Sequence, residues 1–323
     1  MNKPSNLNPW APKRWNIADY KATSTLPKVT VGILNHNRCE DLRRTLDCIS
    51  QAVEYPDIEV IVVDNGSDDG SVNMVRKEYP QVRIIALPEN IGTSARNHFY
   101  EQANGKYVFS FDDDSFPATP STIWEVVNLL ELQPQIDSLT LFCYQPLTGH
   151  TETGEFREIY TSGPGEKGNR GLPFAEGAMC IRSSSWKLLS GYDPDFFWGG
   201  EGLDLTLQMY ALRMTSMYHP GLGALHMKSG QNRNLGNNYY FFTRNHIWSL
   251  SKHFPFYAGV PLILLYILRK LITIAFNSGS YKSYMKGIKD GLIGIPKQTR
   301  KNKKLSLRQV IALKRWYFYL LRW

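Results

Sequence analysis

Three consecutive carboxylates, Asp112, Asp113 and Asp114, close the apolar run Tyr107 to Phe111 (YVFSF). Adjacent negative charges repel one another, so such a run is destabilising unless a cation sits among them or water solvates them all. Mg²⁺ and Mn²⁺ take oxygen ligands and are commonly held by one or two carboxylates together with substrate phosphates. An arbitrary DDD is most simply a solvated acidic turn; one that ends a buried strand is a candidate metal site. A second group lies in Phe196 to Leu207 (FFWGGEGLDLTL), where two glycines precede a predicted helix carrying Glu201 and Asp204, three apart and so on one face. Acidic residues at a helix start ordinarily stabilise its dipole. Beside Phe196, Phe197 and Trp198 they also suit the wall of a sugar site. His226, 22 positions after Asp204, follows a strand-like run and is either a structural histidine or a further metal ligand.

The elements that must position these residues follow from the apolar pattern. Val29 to Leu34, Glu59 to Val63, Val82 to Leu87 and Tyr107 to Phe111 are short, continuous apolar runs. Between them lie helix-length segments: one with Leu42, Leu46 and Ile49 at helical spacing, then Ser71 to Tyr79 and Thr93 to Asn104. Alternating strands and helices, with strands apolar on both sides, predict an α/β fold whose mostly parallel sheet carries helices on both faces. Ligands in such folds bind beyond the carboxyl ends of the strands. Three of the four strands end there in polar residues: Asn35 to Arg38, Asp64 to Asp69, and Asp112 to Asp114. The absence of GxGxxG and of GxxxxGK[ST] excludes a nicotinamide-type Rossmann site and a P-loop. Further on, Thr122 to Leu132 and Glu201 to Arg213 read as helices, and Ser138 to Leu147 and Ser216 to His226 as strands, the last with a turn at Pro220 and Gly221. Thr148 to Pro173, rich in Gly, Thr and Glu, is a candidate substrate lid.

The chain has 323 residues, 42% of them hydrophobic, enough for a sizeable core and about two domains. Four separated cysteines (Cys39, Cys48, Cys143, Cys180) without a CxxC pair argue against a disulfide scaffold or structural zinc and suit a reducing cytosol. Residues 1–27 contain no apolar stretch long enough for a signal peptide. The net charge of +8 is unevenly spread. From Lys252 onward there are 15 Lys and Arg against the lone acid Asp290, leaving 22 basic and 28 acidic residues before it. The basic character therefore belongs to a tail and points to an anionic surface. Phe254 to Leu268 is uncharged but only 15 residues long, short of the ~20 needed to span a bilayer. An interfacial segment fits better. Lys304 to Trp323 places Val310, Leu313, Tyr317 and Leu320 on one face and Lys304, Arg308, Arg315 and Arg322 on another, the pattern of a basic amphipathic helix on an anionic membrane. The other reading packs these helices on the catalytic domain. Nucleic acid is disfavoured, because the charge-bearing strand ends are acidic.

From about Val29 to Pro255 the sequence resembles the family 2 glycosyltransferases of the GT-A fold, particularly bacterial rhamnosyltransferase-like members. VGILNHNR looks like that family's first strand and nucleotide-contacting turn, with Asn35, Asn37 and Arg38. EVIVVDNGSDDGS looks like its second, with Asp64 reading the base, and ENIGTSARN places Asn90, Gly92, Arg96 and Asn97 near the nucleotide. FSFDDDSFP is similar to its Asp-any-Asp motif: the resemblance implies Asp112 facing the ribose and sharing the metal, Asp113 on the donor, and Asp114 on Mn²⁺ or Mg²⁺, with His226 of LHMKS completing the metal shell. FFWGGEGLDL resembles the acceptor-side motif, with Trp198, Gly199 and Gly200 at the acceptor. YYFFTRNHIW, with Arg244 and Asn245, recurs near the end of such domains.

Two positions depart from the family: Gly202 replaces its second acidic residue, and Gln208 stands where arginine is frequent. Either Glu201 takes the acceptor proton with Asp204 orienting it, or the roles are exchanged; the neighbouring glycines favour Glu201. The resemblance implies an inverting, metal-dependent transfer from a thymidine- or uridine-type nucleoside diphosphate sugar to a glycan or lipid-linked saccharide hydroxyl. The basic tail points to peripheral attachment to the cytoplasmic face of the inner membrane. A glycan-binding or assembly scaffold that keeps the fold without turnover is the alternative. The expected organisation is an N-terminal extension (1–27), a GT-A domain (28–255, with a nucleotide-sugar half 28–117 and an acceptor half 118–255) and a helical membrane-associating tail (256–323).

Overall fold

The computed structural model describes residues 26–144, 169–170, 177–227, 235–276, 281–300 and 304–313. Residues 1–25 of the N-terminal extension, most of the candidate lid and the chain after Leu313 lie outside the described residues, so Tyr317, Leu320, Arg315 and Arg322 are not assigned a place. The chain divides into two compact units. The first comprises residues 1–90, 95–188 and 215–229, the second residues 91–94, 189–214 and 230–323.

The first unit contains strands β1 (Val29–Asn35), β2 (Ile58–Asp64), β3 (Arg83–Ala86), β4 (Tyr107–Asp112), β5 (Ser115–Pro117), β6 (Ser138–Tyr144), β7 (Asn169–Arg170), β8 (Ala178–Arg182) and β9 (Ser216–His226). Its helices are α1 (Cys39–Ala52), α2 (Ser71–Glu78), α3 (Arg96–Gln102), α4 (Thr122–Leu132) and the single turn α5 (Ser183–Trp186). The strands form one sheet in the order β3-β2-β1-β4-β8-β6-β9-β5, with β7 paired to β9. β3, β2, β1 and β4 run parallel, as the apolar runs predict. Beyond β4 the sheet is mixed: β8 is antiparallel to β4 and β6, whereas β6 and β9 run parallel. Val29, Val31, Ile33, Phe109 and Phe111 are wholly buried because helices cover the sheet. On α1, buried Leu42, Leu46 and Ile49 recur at three- and four-residue spacing and join the same core. The expected turn at Pro220 and Gly221 is a bulge within β9: Leu141 pairs with His219 and the next residue, Phe142, with Gly223.

The order of the strands creates a switch point. From β1 the chain moves outward to β2 and β3, then returns to β4 on the opposite side of β1. The carboxyl ends of β1, β2 and β4 are thereby neighbours, with Asn35 opposite Asp64 and Leu34 opposite Asp112. This is where open α/β sheets leave a crevice for ligands.

The second unit contains α6 (Glu201–Ala211), α7 (Leu235–His253), α8 (Phe256–Phe276), α9 (Tyr281–Gln298) and α10 (Leu307–Ala312). Glycines set the packing of α9 on α7. A Cβ at Gly287 would lie 2.7 Å from the Tyr240 carbonyl oxygen, and one at Gly294 would lie 2.3 Å from the Trp248 indole nitrogen. Side chains there would hold the helices apart, and their absence lets Trp248 donate to the Gly291 carbonyl at 3.0 Å. Among the described residues no helix is long and apolar enough to cross a membrane. The described part of the last segment packs inward: Leu305, Val310 and Leu313 are buried, and Gln309 donates to the carbonyls of Tyr210 and Ala211. Lys304, expected on a solvated face, instead donates to the Ser251 and Lys252 carbonyls at the end of α7, where a cation meets unsatisfied helix carbonyls.

Candidate active site

In the first unit the acidic run sits at the carboxyl end of β4. Asp112, Asp114 and His226 offer ligand atoms that all lie within 4.8 Å of one another. The antiparallel pairing of β5 with β9 brings together residues 112 positions apart, because His226 is the cross-strand partner of Ser115. His226 Nε2 lies 3.0 Å from Asp114 Oδ1, and the Met227 amide donates to the Asp114 carbonyl at 2.8 Å. Asp114 is 1% exposed. Two carboxylates and an imidazole converging in this way match the donor set that a divalent cation such as Mn²⁺ takes.

The repulsion within the acidic run is offset in part by arginines. Arg38 Nη1 lies 2.8 Å from Asp114 Oδ2 and 3.0 Å from Asp113 Oδ1, and its Nε donates to Asp41 at 3.1 Å. Burial, opposed by Arg38 and assisted by the charges of Asp114 and Asp112, pushes the Asp113 carboxyl well above the usual range. Arg96, 3% exposed, pairs with Asp112 and donates to Ser110 Oγ at 2.9 Å and to the Phe111 carbonyl at 3.2 Å. Both arginines thus fix the acidic strand end, a function that the sequence reading, which placed them toward the nucleotide, did not foresee.

Asp64, at the end of β2, is also engaged within the fold. Asn35 Nδ2 donates to one of its oxygens at 2.8 Å and the Ser67 amide to the other at 3.0 Å. Asn37, in a left-handed conformation with φ 52°, receives a bond from the Asp68 amide at 2.9 Å and donates its own amide to Ser67 Oγ. Asn90 accepts from Asn65 Nδ2 at 2.9 Å. These bonds lace the first two strand ends and the turn after β3 into one rim.

The second unit holds Glu201, Asp204, Trp198, Gly199, Gly200 and Gly92. Gly199 and Gly200 take φ of +77° and +84°, which only glycine adopts without strain, and they deliver the chain into α6. Phe197 is a non-glycine residue at φ 60°. Its carbonyl accepts from the Thr93 amide at 2.7 Å, and a Cβ on Gly92 would lie 1.9 Å from the same oxygen. Strain of this kind persists only where the surroundings hold it. Asn245 Nδ2 donates to the carbonyls of Phe196, Trp198 and Gly199 at 2.9, 3.0 and 2.5 Å, and Arg244 donates to those of Asp195 and Phe196. Trp198, 36% exposed, meets the Phe242 ring edge-on. The YYFFTRNHIW segment therefore holds the aromatic-glycine loop.

Glu201 and Asp204 share a helix but not a setting. Asp204, 2% exposed, accepts from Lys252 Nζ and Gln208 Nε2, both at 2.9 Å, and its other oxygen lies 2.8 Å from His253 Nε2. Burial would raise its pKa, but His253 and Lys252 hold it down to about 2. Lys252 also bonds Asp193 at 3.0 Å. Although it counts toward the basic tail by sequence, it is buried in this cluster because two carboxylates receive it. Lys252 and His253 escaped the sequence reading; their one signal was a Lys-His pair closing a helix that carries no acid. Glu201, 7% exposed, occupies the first position of the helix.

Residues 30–189, which contain the whole acidic rim except His226, match the sequence family described as Glycosyl transferase family 2. The chain carries a family 2 glycosyltransferase domain. This glycosyltransferase domain is 37% identical over 100 residues to glycosyltransferase AglE of Haloferax volcanii, an alignment covering 29% of this chain and 33% of that one. It is 27% identical over 228 residues to validoxylamine A glucosyltransferase of Streptomyces hygroscopicus subsp. jinggangensis, covering 59% and 53%. The chain thus spans a third to about half the length of these relatives. Among solved structures, the mannosyltransferase PcManGT from Pyrobaculum calidifontis, in complex with GDP-Man and Mn²⁺, superposes with a TM-score of 0.52 at 15% identity, covering 92% of this chain and 81% of that one. The two share the glycosyltransferase fold.

Proposed function

We propose that this protein is a metal-dependent inverting glycosyltransferase that moves a hexosyl group from a nucleoside diphosphate sugar to a hydroxyl of a glycan or lipid-linked saccharide. The observation that carries the reading is the convergence of Asp112, Asp114 and His226 at the switch point of a family 2 domain. In this reading Asp112, Asp114 and His226 hold Mn²⁺ or Mg²⁺, which when bound neutralises charge gathering on the departing diphosphate. Asn35, Asn37, Asp64 and Asn90 form the rim on which the nucleoside lies. Arg38 and Arg96 keep the carboxylates aimed, and Asp113 supports Arg38.

Trp198, Gly199 and Gly200 receive the acceptor, and Glu201 takes the proton from its hydroxyl. As the acceptor oxygen bonds to the anomeric carbon, the bond from that carbon to the diphosphate breaks, and the nucleoside diphosphate leaves with the electron pair. Asp204 does not compete for the proton. Its oxygens are occupied by Lys252, Gln208 and His253, and its depressed pKa makes it a poor base. The reading also includes peripheral attachment to an anionic membrane, the setting in which a lipid-linked acceptor is met.

Calorimetric titration with a panel of nucleoside diphosphate sugars, each with Mn²⁺ and with chelator, tests the donor half of this reading. Metal-dependent binding of one donor, followed by its slow hydrolysis, is expected. Binding without any turnover, toward water or saccharide acceptors, would favour the scaffold alternative.

A further inference from the structure

We infer that the outer face of α8 is the surface by which the protein docks on an anionic bilayer, lying along it rather than crossing it; this deepens the membrane-attachment part of the proposed function and rests on it. From Phe256 to Ile272 every exposed residue of α8 is apolar: Phe256, Tyr257, Val260, Pro261, Leu264, Leu265, Leu268, Leu271 and Ile272. Phe256, Leu264 and Leu268 are 83%, 62% and 55% exposed. Their three- and four-residue spacing confines them to one half of the helix, while Leu262, Ile263 and Tyr266 on the other half are buried. At 1.5 Å per residue the stripe is about 24 Å long. Water-facing helices of globular proteins do not carry an unbroken stripe of this kind without a use for it.

The charge on the following helix selects the occupant. α9 touches α8 through Lys270, whose ammonium lies 5.3 Å from the Tyr266 ring centre and 5.4 Å from that of Tyr284. On α9, Lys282, Lys286 and Lys289 are exposed at helical spacing, opposite the face whose glycines pack on α7, while the exposed Lys297 pairs with Asp195 at 2.7 Å. Its one acid, Asp290, is bonded to Tyr240 at 2.9 Å. An exposed apolar face on one helix and exposed lysines on the next, in a segment with a single acid, match the acyl boundary and the headgroups of an anionic bilayer respectively. A second copy is a poorer partner: pairing two such units through α8 would bring two strongly basic segments together. The terminal segment, which by sequence suits the same purpose, is less suited in its described part, because Leu305, Val310 and Leu313 are already buried within the unit.

The test is co-sedimentation of the full chain with vesicles of phosphatidylcholine alone or mixed with phosphatidylglycerol, with light scattering of the free protein. The wild type is expected to bind the mixed vesicles at least about tenfold more tightly than the neutral ones, with the difference falling at high salt. Leu264→Asp with Leu268→Asp should lower binding to the mixed vesicles about tenfold or more while leaving the thermal midpoint and donor binding unchanged, since both side chains are exposed. Lys282→Gln, Lys286→Gln and Lys289→Gln together should remove the preference for phosphatidylglycerol. Wild-type binding that survives the leucine changes would overturn the docking face and leave membrane attachment standing through another segment. Absence of wild-type binding would overturn both, and a dimer dispersed by the leucine changes would assign the face to a second copy. Neither result bears on donor binding, which tests the glycosyltransferase reading by itself.

Discussion

The two units each gather buried carboxylates against cations, but with opposite consequences. In the second unit Asp204 is saturated: lysine, histidine and glutamine side chains occupy its oxygens, and a second acid, Asp193, shares the lysine. The cluster is closed, and its work is to hold the start of α6 to the end of α7. In the first unit Asp112, Asp113 and Asp114 are three successive charges for which Arg38 and Arg96 provide only partial compensation. Ligand atoms of Asp112 and Asp114 are also aimed at one point together with His226. A buried acid whose partners are complete is architecture; acids at one strand end aimed together with a histidine from another strand, their repulsion only partly offset, are a binding device.

Removing one acid from each cluster should separate these roles. Asp114→Asn is expected to abolish metal-dependent donor binding, a larger loss than the roughly 10–100-fold typical of changes that only support a metal ligand. Its unfolding free energy should stay within about 1 kcal/mol of wild type, because a lost arginine pair is offset by relief of carboxylate repulsion. Calorimetry with and without Mn²⁺ and urea unfolding measure the two effects. Undiminished metal-dependent binding would move the metal site elsewhere.

Glu201→Gln sharpens the contrast within a single helix. Donor affinity should be retained while turnover falls roughly 10²–10⁴-fold, the usual contribution of a general base. Asp204→Asn should do its damage through the fold: it leaves Lys252 buried with one acid partner fewer, and losing half of a buried ion pair costs about 3–5 kcal/mol. Normal turnover in the Glu201 variant, with transfer lost in an Asp204 variant that is still folded, would exchange the two assignments.

The sequence disclosed the device more readily than the architecture around it. The parallel strands β1 to β4 are legible because burial on both faces demands continuous apolar runs, and Asp112 to Asp114 stand out because charge at a strand end is conspicuous. His226 could be suspected from its strand-like approach, but the pairing of β5 with β9 that brings it to Asp114 is a non-local event. The antiparallel strand β8, inserted beside β4, was likewise not legible, since four or five apolar residues carry no sign of direction. Arg38 was visible as a polar residue at a strand end and Arg96 through the resemblance of ENIGTSARN, yet an arginine that holds a carboxylate and one that holds a phosphate look alike in one dimension. Lys252 and His253 were hidden more deeply: a charge pair next to a basic tail reads as solvated until the fold places Asp204 and Asp193 against it.

The closed cluster should also leave its mark on acid stability, the smallest of these effects. The Asp204 carboxyl is held at about 2 in the folded protein against an ordinary value of 3.8. Because the folded value is the lower, the contribution is fully present above the unfolded pKa and is lost as pH falls from about 5 toward about 2; it amounts to something on the order of 2 kcal/mol. Other carboxylates held low, such as Glu59 and Asp69, lose stability over the same range, so the raw acid-unfolding curve does not isolate Asp204. The difference between wild type and Asp204→Asn does. A protonated aspartate and an asparagine are nearly the same shape and equally uncharged, so the stability gap between the two proteins should narrow as acid protonates the wild type. Urea unfolding at intervals from pH 7 to pH 3 would follow that narrowing. A gap that stays constant across the range would mean that the charge on Asp204 is not what joins α6 to α7, and the contrast between a closed cluster and an aimed one would then rest on packing alone.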